Sequence, residues 1–299
     1  MDLDELEAAA RRLLAPPSYD YLAGGAFDEL TLAANMGDWA RLRLRPRILR
    51  DVALVSTATT LLGTQVATPI GIAPTAFHRL AHPDGEPATA AAAAAAGALM
   101  VASTRATASV EEIADAAPGA PRWYQVYIMR DRDGTAGLVQ RAARAGFQAL
   151  VLTADTPVLG RRMRDVRNRF VLPANVGSAA ESLGAEGNLS DQDPRLSFAD
   201  IGWLARLSGL PVVVKGVLRG DDALACLDAG AAAIWVSNHG GRQLDHAQAT
   251  IDALPRIADA VAGRADIVID GGFRRGTDVL KGLARGATVI AVGRTALWG

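Results

Sequence analysis

Residues 211–242 read PVVVKGVLRGDDALACLDAGAAAIWVSNHGGR. Two apolar runs, Pro211–Lys215 and Ala232–Ser237, flank a segment, Asp221–Ala229, with helical apolar spacing. Apolar runs without polar alternation mark strands buried on both faces, and a helix between two such strands makes a parallel crossover. The same unit recurs on either side. Strand-like runs stand at Pro69–Ala73, Ala98–Ala102, Trp123–Tyr127, Ala149–Thr153, Asp266–Asp270 and Thr288–Val292. Helical patterns stand at Glu86–Gly97, Val110–Ala117, Thr135–Ala145, Phe198–Leu207, Ile251–Ala262 and Thr277–Ala284. Eight strands alternating with helices predict an α/β fold, a (β/α)8 or TIM barrel. An open doubly wound sheet competes with it, but the G-x-G-x-x-G fingerprint after the first strand is missing.

Two stretches break the rhythm. Residues 1–68 precede the first strand and form an N-terminal extension. It opens with MDLDELEAAARRLL, an acidic amphipathic helix and not a signal peptide. It ends near RLRLRPRILR (residues 41–50), whose alternating arginines predict a half-buried strand or an extended arm. Residues 173–197 are rich in Gly, Ser, Asn, Asp and Glu, and a loop that long reads as a lid. With no repeat and no linker, residues 1–299 are expected to form a single domain. The chain carries 31 basic and 32 acidic residues, which argues against nucleic-acid or anionic-membrane partners. The run Ala88–Ala96 is too short to span a membrane, so a cytoplasmic protein is expected. The lone Cys226 excludes an intrachain disulfide and a cysteine zinc site, and no metal is expected. Its place in DDALACLDAG predicts an inert thiol on a buried helix face.

Barrel chemistry collects at the C-terminal ends of the strands. Those ends carry Thr75-Ala76, Gln125 and Tyr127, Thr153 and Asp155, Lys215, then Ser237-Asn238-His239-Gly240-Gly241-Arg242, Asp270-Gly271-Gly272-Phe273-Arg274 and Gly293-Arg294. Gly272, Arg274, Gly293 and Arg294 suit a phosphate, because glycine lets backbone amides approach an anion and arginine clamps it. His239 is one of four histidines and suits a general base, with Asp155 positioned to pair with the imidazolium and Arg242 to grip a carboxylate. His78, His82 and His246 have no such company and read as structural or surface groups. Lys215 is one of only two lysines. It can form a Schiff base with a carbonyl substrate, or hold a fixed charge beside an anionic cofactor. Lys281, inside VLKGLARG, reads as a solvated helix residue.

The motifs SNHGGRQLD, DGGFRRGTDV, VKGV, YDYLAGGA, APTA, WYQVY, LTADTP and GRRMRDVRN together resemble the FMN-dependent 2-hydroxy acid oxidase and dehydrogenase family. The resemblance runs along almost the whole chain. It implies FMN as cofactor and oxidation of an L-2-hydroxy acid to a 2-oxo acid. Alanine at Ala76 leans towards oxygen as acceptor, giving hydrogen peroxide; a dehydrogenase with another acceptor is the alternative. The resemblance implies His239 as the base, Asp155 as its partner and Tyr127 at the substrate hydroxyl. Arg162, Arg242 and Tyr21 would hold the substrate carboxylate. Thr75, Ala76, Ser103, Gln125 and Thr153 would surround the flavin ring. Lys215 would sit beside its pyrimidine edge, and Asp270 would meet the ribityl chain. Gly272, Arg274, Gly293 and Arg294 would hold the phosphate. A tetramer is implied as well. Arg105 stands where plant glycolate oxidases carry a tryptophan, and either contacts a second acidic group or points to solvent. Family members continue past the eighth strand with a helix and tail, which this chain is expected to lack. A Schiff-base aldolase on Lys215 and an inactive truncated barrel are the rival expectations.

Overall fold

The computed structural model describes residues 2–179 and 192–299. The extension contains α1 (Leu3–Leu13), α2 (Pro16–Ala23) and α3 (Leu30–Gly37), followed by a 3-10 turn at Asp38–Arg41. A capping box starts α1: the Asp2 carboxylate accepts from the Asp4 and Glu5 amides at 3.0 and 2.9 Å. Residues 43–50 are exposed and form no strand, which corrects the half-buried strand expected there. Pro46 lacks the amide a ladder needs, and a closed barrel leaves no edge to pair with.

A short antiparallel hairpin follows, β1 (Thr59–Leu61) with β2 (Thr64–Val66). Its two turn residues, Leu62 and Gly63, both have positive φ (46° and 77°), as a type I′ turn demands. The barrel itself runs β3 (Ile70–Ile72), α4 (Gly85–Ala95), β4 (Met100–Ser103), α5 (Val110–Asp115), β5 (Arg122–Val126), α6 (Arg132–Arg144) and β6 (Leu150–Thr153). It continues with α7 (Met163–Asn168), α8 (Ala199–Ser208), β7 (Val212–Val217), α9 (Gly220–Asp228) and β8 (Ala233–Val236). It closes with α10 (Thr250–Val261), β9 (Asp266–Ile269), α11 (Gly276–Ala284), β10 (Val289–Val292) and the four-residue α12 (Arg294–Leu297). The eight strands β3 to β10 form a closed barrel whose neighbouring strands are parallel, and β10 pairs with β3. Every strand expected from the sequence is present, with ends shifted by at most two residues.

Side chains alternate inward and outward along each strand. Val213 and Trp235 fill the barrel, with Trp123 and Val268, while Val212, Val214, Ile234 and Val236 face the helices. Full burial of each such side chain contributes roughly 1.5–3 kcal/mol. Cys226 lies buried in the outer layer, as expected.

The two ends of the barrel differ. At the N-terminal end the hairpin plugs the interior with Leu61 and Val66, and the Leu62 amide donates to Asp266 at 2.8 Å. At the C-terminal end the helical extension lies across the mouth. Trp39 donates from its indole to the Gly271 carbonyl (3.0 Å), and Asp245 accepts from the amides of Asp28 and Thr31. Lys281 joins this tether: its ammonium donates to the Trp39 carbonyl at 2.7 Å. The expected solvated lysine is therefore a half-buried link, because the 3-10 turn covers that face of α11. Residues 180–191 of the expected lid lie outside the described residues; beside them, Gln192 bridges to Met129. Among the described residues, no helix is long and apolar enough to cross a membrane.

Candidate active site

A cavity of about 300 Å³ opens at the C-terminal mouth, between the strand ends and the extension. One part of its wall is built on the turn after β8. His239 (φ 58°) and Gly240 (φ 62°) both take left-handed conformations, a strained arrangement for a histidine. Asn238 holds that turn. Its side chain accepts from the Gly241 amide at 3.2 Å and exchanges hydrogen bonds with Asn35 of α3 at 2.7 and 2.8 Å.

The turn aims the imidazole. His239 Nδ1 lies 2.9 Å from Asp155 Oδ1, and Nε2 lies 3.4 Å from the Tyr127 hydroxyl. A carboxylate only accepts, so Nδ1 carries the proton and Nε2 keeps its lone pair towards the cavity. Burial holds the His239 pKa below the usual histidine value, opposed by Asp155 and assisted by Lys215. Burial pushes the Asp155 pKa up, but His239 and Lys215 outweigh it and leave the carboxyl below its ordinary value. A base that is neutral near neutral pH and a fixed anion behind it are what proton uptake requires.

Lys215, two residues before the end of β7, donates to Ser237 Oγ at 2.9 Å and sits 4.0 Å from Asp155 and 3.6 Å from Asp270. Ser237 Oγ donates to Asp270 (2.9 Å), which also accepts from the Trp235 indole at 3.0 Å. Ser103 donates to Gln125 Oε1 at 3.1 Å, and the Gln125 amide donates to Thr153 at 2.8 Å. Of the catalytic, substrate and cofactor residues that the resemblance implies, Asp155, Gln125 and Thr153 do not line the cavity; the others do.

Two aromatic rings carry the arginines. Arg162 and Arg242 each lie 5.1 Å from the Tyr21 ring centre, and Arg105 lies 5.4 Å from the Tyr127 ring centre. Arg162 is also paired with Asp165 at 3.0 Å. Arg242 donates to the Tyr21 and Gly24 carbonyls at 2.7 and 2.8 Å, at the C-terminal end of α2. Burial, then Arg162, brings its pKa down to about 10. Arg105 is 6% exposed, which removes the alternative that it points to solvent.

At the other end of the cavity, Arg294 donates to the carbonyls of Leu22, Gly24 and Gly240 at 3.1, 2.9 and 3.0 Å. Burial, then Arg242, brings its pKa down to about 9. Arg274 pairs with Asp4 at 2.8 Å and Glu7 at 2.7 Å of α1. Gly272 (φ +79°) passes so close to α3 that a Cβ there would stand 1.9 Å from the Asn35 carbonyl oxygen.

His78 is buried, as a structural histidine should be. Its ring bonds Thr75 and Thr89, and its amide donates to the buried Glu86 at 3.1 Å. It supports the Thr75 wall from behind. His82 and His246 are exposed.

These groups fit FMN. Arg242 and Arg294, both half-buried, donate to carbonyls and form no ion pair with a carboxylate among the described residues, so the cavity favours an anion. The Thr295 hydroxyl lines the same end, buried and without a partner among the described residues. Buried hydroxyls are seldom left unbonded, so a phosphate oxygen is a natural partner. Residues 10–299 match the FMN-dependent dehydrogenase family.

The chain belongs to that family.

It is 46% identical to 2-hydroxyacid oxidase 1 of Homo sapiens, over 99% of this chain and 85% of that protein. It is 47% identical to the L-lactate oxidase of Nostoc sp., over 100% of this chain and 87% of that protein. A solved mandelate oxidase bound to benzoyl-formic acid superposes with a TM-score of 0.93 at 42% identity, covering 99% of this chain and 85% of that one. The protein is thus an FMN-dependent flavoenzyme that oxidises 2-hydroxy acids.

Sequence reasoning missed the contribution of the extension beyond Tyr21. Asn35, Glu7 and Asp4 shape the site, yet each reads alone as an ordinary helix residue. Thr295 was missed too, although it follows the expected phosphate arginine directly.

Proposed function

We propose that this enzyme is a single-domain L-2-hydroxy acid oxidase in which His239 is the base and oxygen the final acceptor, giving hydrogen peroxide. The observation that carries it is the His239–Asp155 pair at 2.9 Å, with Nε2 turned to the Tyr127 hydroxyl in a cavity walled by Arg162 and Arg242.

Arg162 and Arg242 bind the substrate carboxylate against the Tyr21 ring and so fix C2 before His239. Tyr127 hydrogen-bonds the substrate hydroxyl; burial raises its pKa, which keeps the phenol protonated as a donor. As the hydroxy acid loses two electrons and two protons, Nε2 takes up one proton, and Asp155 stabilises the resulting imidazolium. FMN, when bound, would supply the acceptor for the electron pair and the second proton. Lys215 places a fixed positive charge against that pair, and Ser103, Gln125, Thr153, Thr75 and Ala76 orient the ring. Asp270 meets the ribityl chain; Gly272, Arg274, Gly293 and Arg294 hold the phosphate. Oxidase names among the relatives and alanine at Ala76 support oxygen as acceptor.

A homotetramer belongs to the same proposal. The exposed side chains of Ile48, Leu49, Val52, Leu54 and Val55 are apolar surface that another copy would cover. A cytoplasmic location belongs to it as well, and a single buried thiol suits a reducing compartment.

The test is anaerobic mixing of the yellow holoenzyme with L-lactate, glycolate or L-mandelate. Bleaching, then stoichiometric peroxide on admitting oxygen, supports the proposal. His239→Ala that binds FMN but is not reduced supports His239 as base; normal reduction of that variant removes it. Slow reoxidation by oxygen beside fast reoxidation by a quinone would overturn the choice of acceptor.

A further inference from the structure

We propose that Asp165 is a positioning residue: by holding Arg162 Nε it sets which edge of that guanidinium meets the substrate carboxylate. This rests on the proposed carboxylate site at Arg162 and Arg242.

Among the described residues, each of these arginines is hydrogen-bonded through a single nitrogen. Arg162 uses Nε, which lies 3.0 Å from Asp165 Oδ2. Arg242 uses Nη1, which donates to the carbonyls of Tyr21, Leu22 and Gly24 at 2.7, 3.5 and 2.8 Å. A guanidinium meets a carboxylate end-on, through its two Nη atoms, or side-on, through Nε and Nη2. With Nε taken, Arg162 keeps its end-on edge. With Nη1 taken, Arg242 keeps its side-on edge. Both guanidinium centres lie 5.1 Å from the Tyr21 ring centre, and both residues line the cavity. Without Asp165, Arg162 could rotate about its side-chain bonds and offer either edge.

The anchor is local. Asp165 stands three residues after Arg162, in the first turn of α7, where residues at that spacing are neighbours. The Arg162 carbonyl accepts from the Val166 amide at 3.1 Å, and the Asp165 carbonyl from the Phe170 amide at 2.9 Å, so both backbones are fixed. Phe170 stacks on Tyr21 with ring centres 4.7 Å apart. The α7 segment therefore fixes both the guanidinium and the ring it lies against.

Asp165 is otherwise poorly served. Its Oδ1 is buried without a partner among the described residues. Burial pushes its pKa up, opposed by Arg162 and then Arg242. A carboxylate beside an anion site also repels the anion. Charge alone therefore predicts that removing Asp165 tightens substrate binding; positioning predicts that it weakens it.

The experiment exploits that opposition of sign. FMN-loaded wild type, Asp165→Asn and Asp165→Leu are titrated with pyruvate and benzoylformate against the absorbance of the bound flavin. Each is also turned over with whichever of L-lactate, glycolate and L-mandelate bleaches the wild-type flavin. Asparagine keeps an acceptor for Nε and drops the charge; leucine drops both. Asp165→Leu should weaken 2-oxo acid binding at least about tenfold, the scale of one hydrogen bond to a charged group, and lower kcat/KM mostly through KM. Asp165→Ala repeats the test without the bulk of leucine. Asp165→Asn should stay within about threefold of wild type. In an Arg162→Ala background, Asp165→Leu should add less than about twofold, because the residue it acts through is gone. Tighter binding in both Asn and Leu variants overturns the inference. So does an equal loss in both, or a loss undiminished in the Arg162→Ala background, which is what general damage to α7 gives. If no hydroxy acid bleaches the flavin while 2-oxo acid binding keeps the expected pattern, the proposed reaction fails and the positioning role stands. If neither 2-oxo acid binds the wild-type enzyme, the carboxylate site and the inference fall together.

Discussion

Asp155→Asn separates a catalytic electrostatic role from a merely structural one. Asparagine keeps the shape and removes the charge behind His239. The Nδ1–Oδ1 distance of 2.9 Å puts the two charge centres about 4 Å apart, and at an effective dielectric near 20 their attraction is ~4 kcal/mol. That energy matters only once the imidazole is charged. If half of the proton has moved in the transition state, about 2 kcal/mol is lost there; if all of it has moved, ~4 kcal/mol is lost. The limiting rate of anaerobic flavin reduction should therefore fall by between about thirtyfold and a thousandfold. The pH profile should move with it. Burial already lowers the His239 pKa, and Asp155 is the group that raises it. Removing Asp155 lowers that pKa further, so the acid limb of kcat/KM shifts to lower pH while its plateau drops. Stopped-flow reduction across pH 5 to 9 measures both. A rate loss under about tenfold, or an acid limb that stays put or moves upward, would refute the assignment of Asp155 as the charge partner.

Three further outcomes can be measured independently. Lys215→Met should still bind FMN but lower its two-electron potential by at least about 30 mV, ~1.4 kcal/mol, in a redox titration; an unchanged potential would remove Lys215 from the flavin's electrostatics. Gly272→Ala meets the Asn35 carbonyl at 1.9 Å as well as a positive φ, so it should cost at least about 3 kcal/mol in thermal unfolding. Gly63→Ala shares the positive φ but meets nothing within 4 Å, so it should cost only ~1 kcal/mol, and equal losses in the two would contradict the close approach. Burial, then Asp222, pushes the Cys226 thiol up to about 11, so it should ignore an aromatic disulfide reagent at pH 8 until the protein is unfolded.

The barrel was legible because its strands are buried on both faces. Runs such as Val212–Val214 and Ile234–Val236 have no polar face to blur them, and the closing loops then placed His239, Lys215 and Asp270 at one mouth. The hairpin at Thr59–Val66 was not legible, since three-residue strands carry too little pattern and only Leu61 and Val66 are buried. Alternation misled at residues 41–50, because it reports a preference for a half-buried strand and not the presence of an edge to pair with. The largest gap is the extension. Asn35 meets Asn238 across 203 positions, Lys281 meets Trp39 across 242, and Arg274 meets Asp4 across 270. No local period encodes such contacts; they exist because the closed barrel offers a polar rim and the extension supplies matching donors and acceptors. Arg274 shows the consequence. Its sequence position marks an anion clamp, yet the chain itself presents two carboxylates to it, from Asp4 and Glu7. A phosphate held there would therefore meet a guanidinium already oriented by α1, so the geometry of that proposed anchor is set by the extension as well as by the barrel.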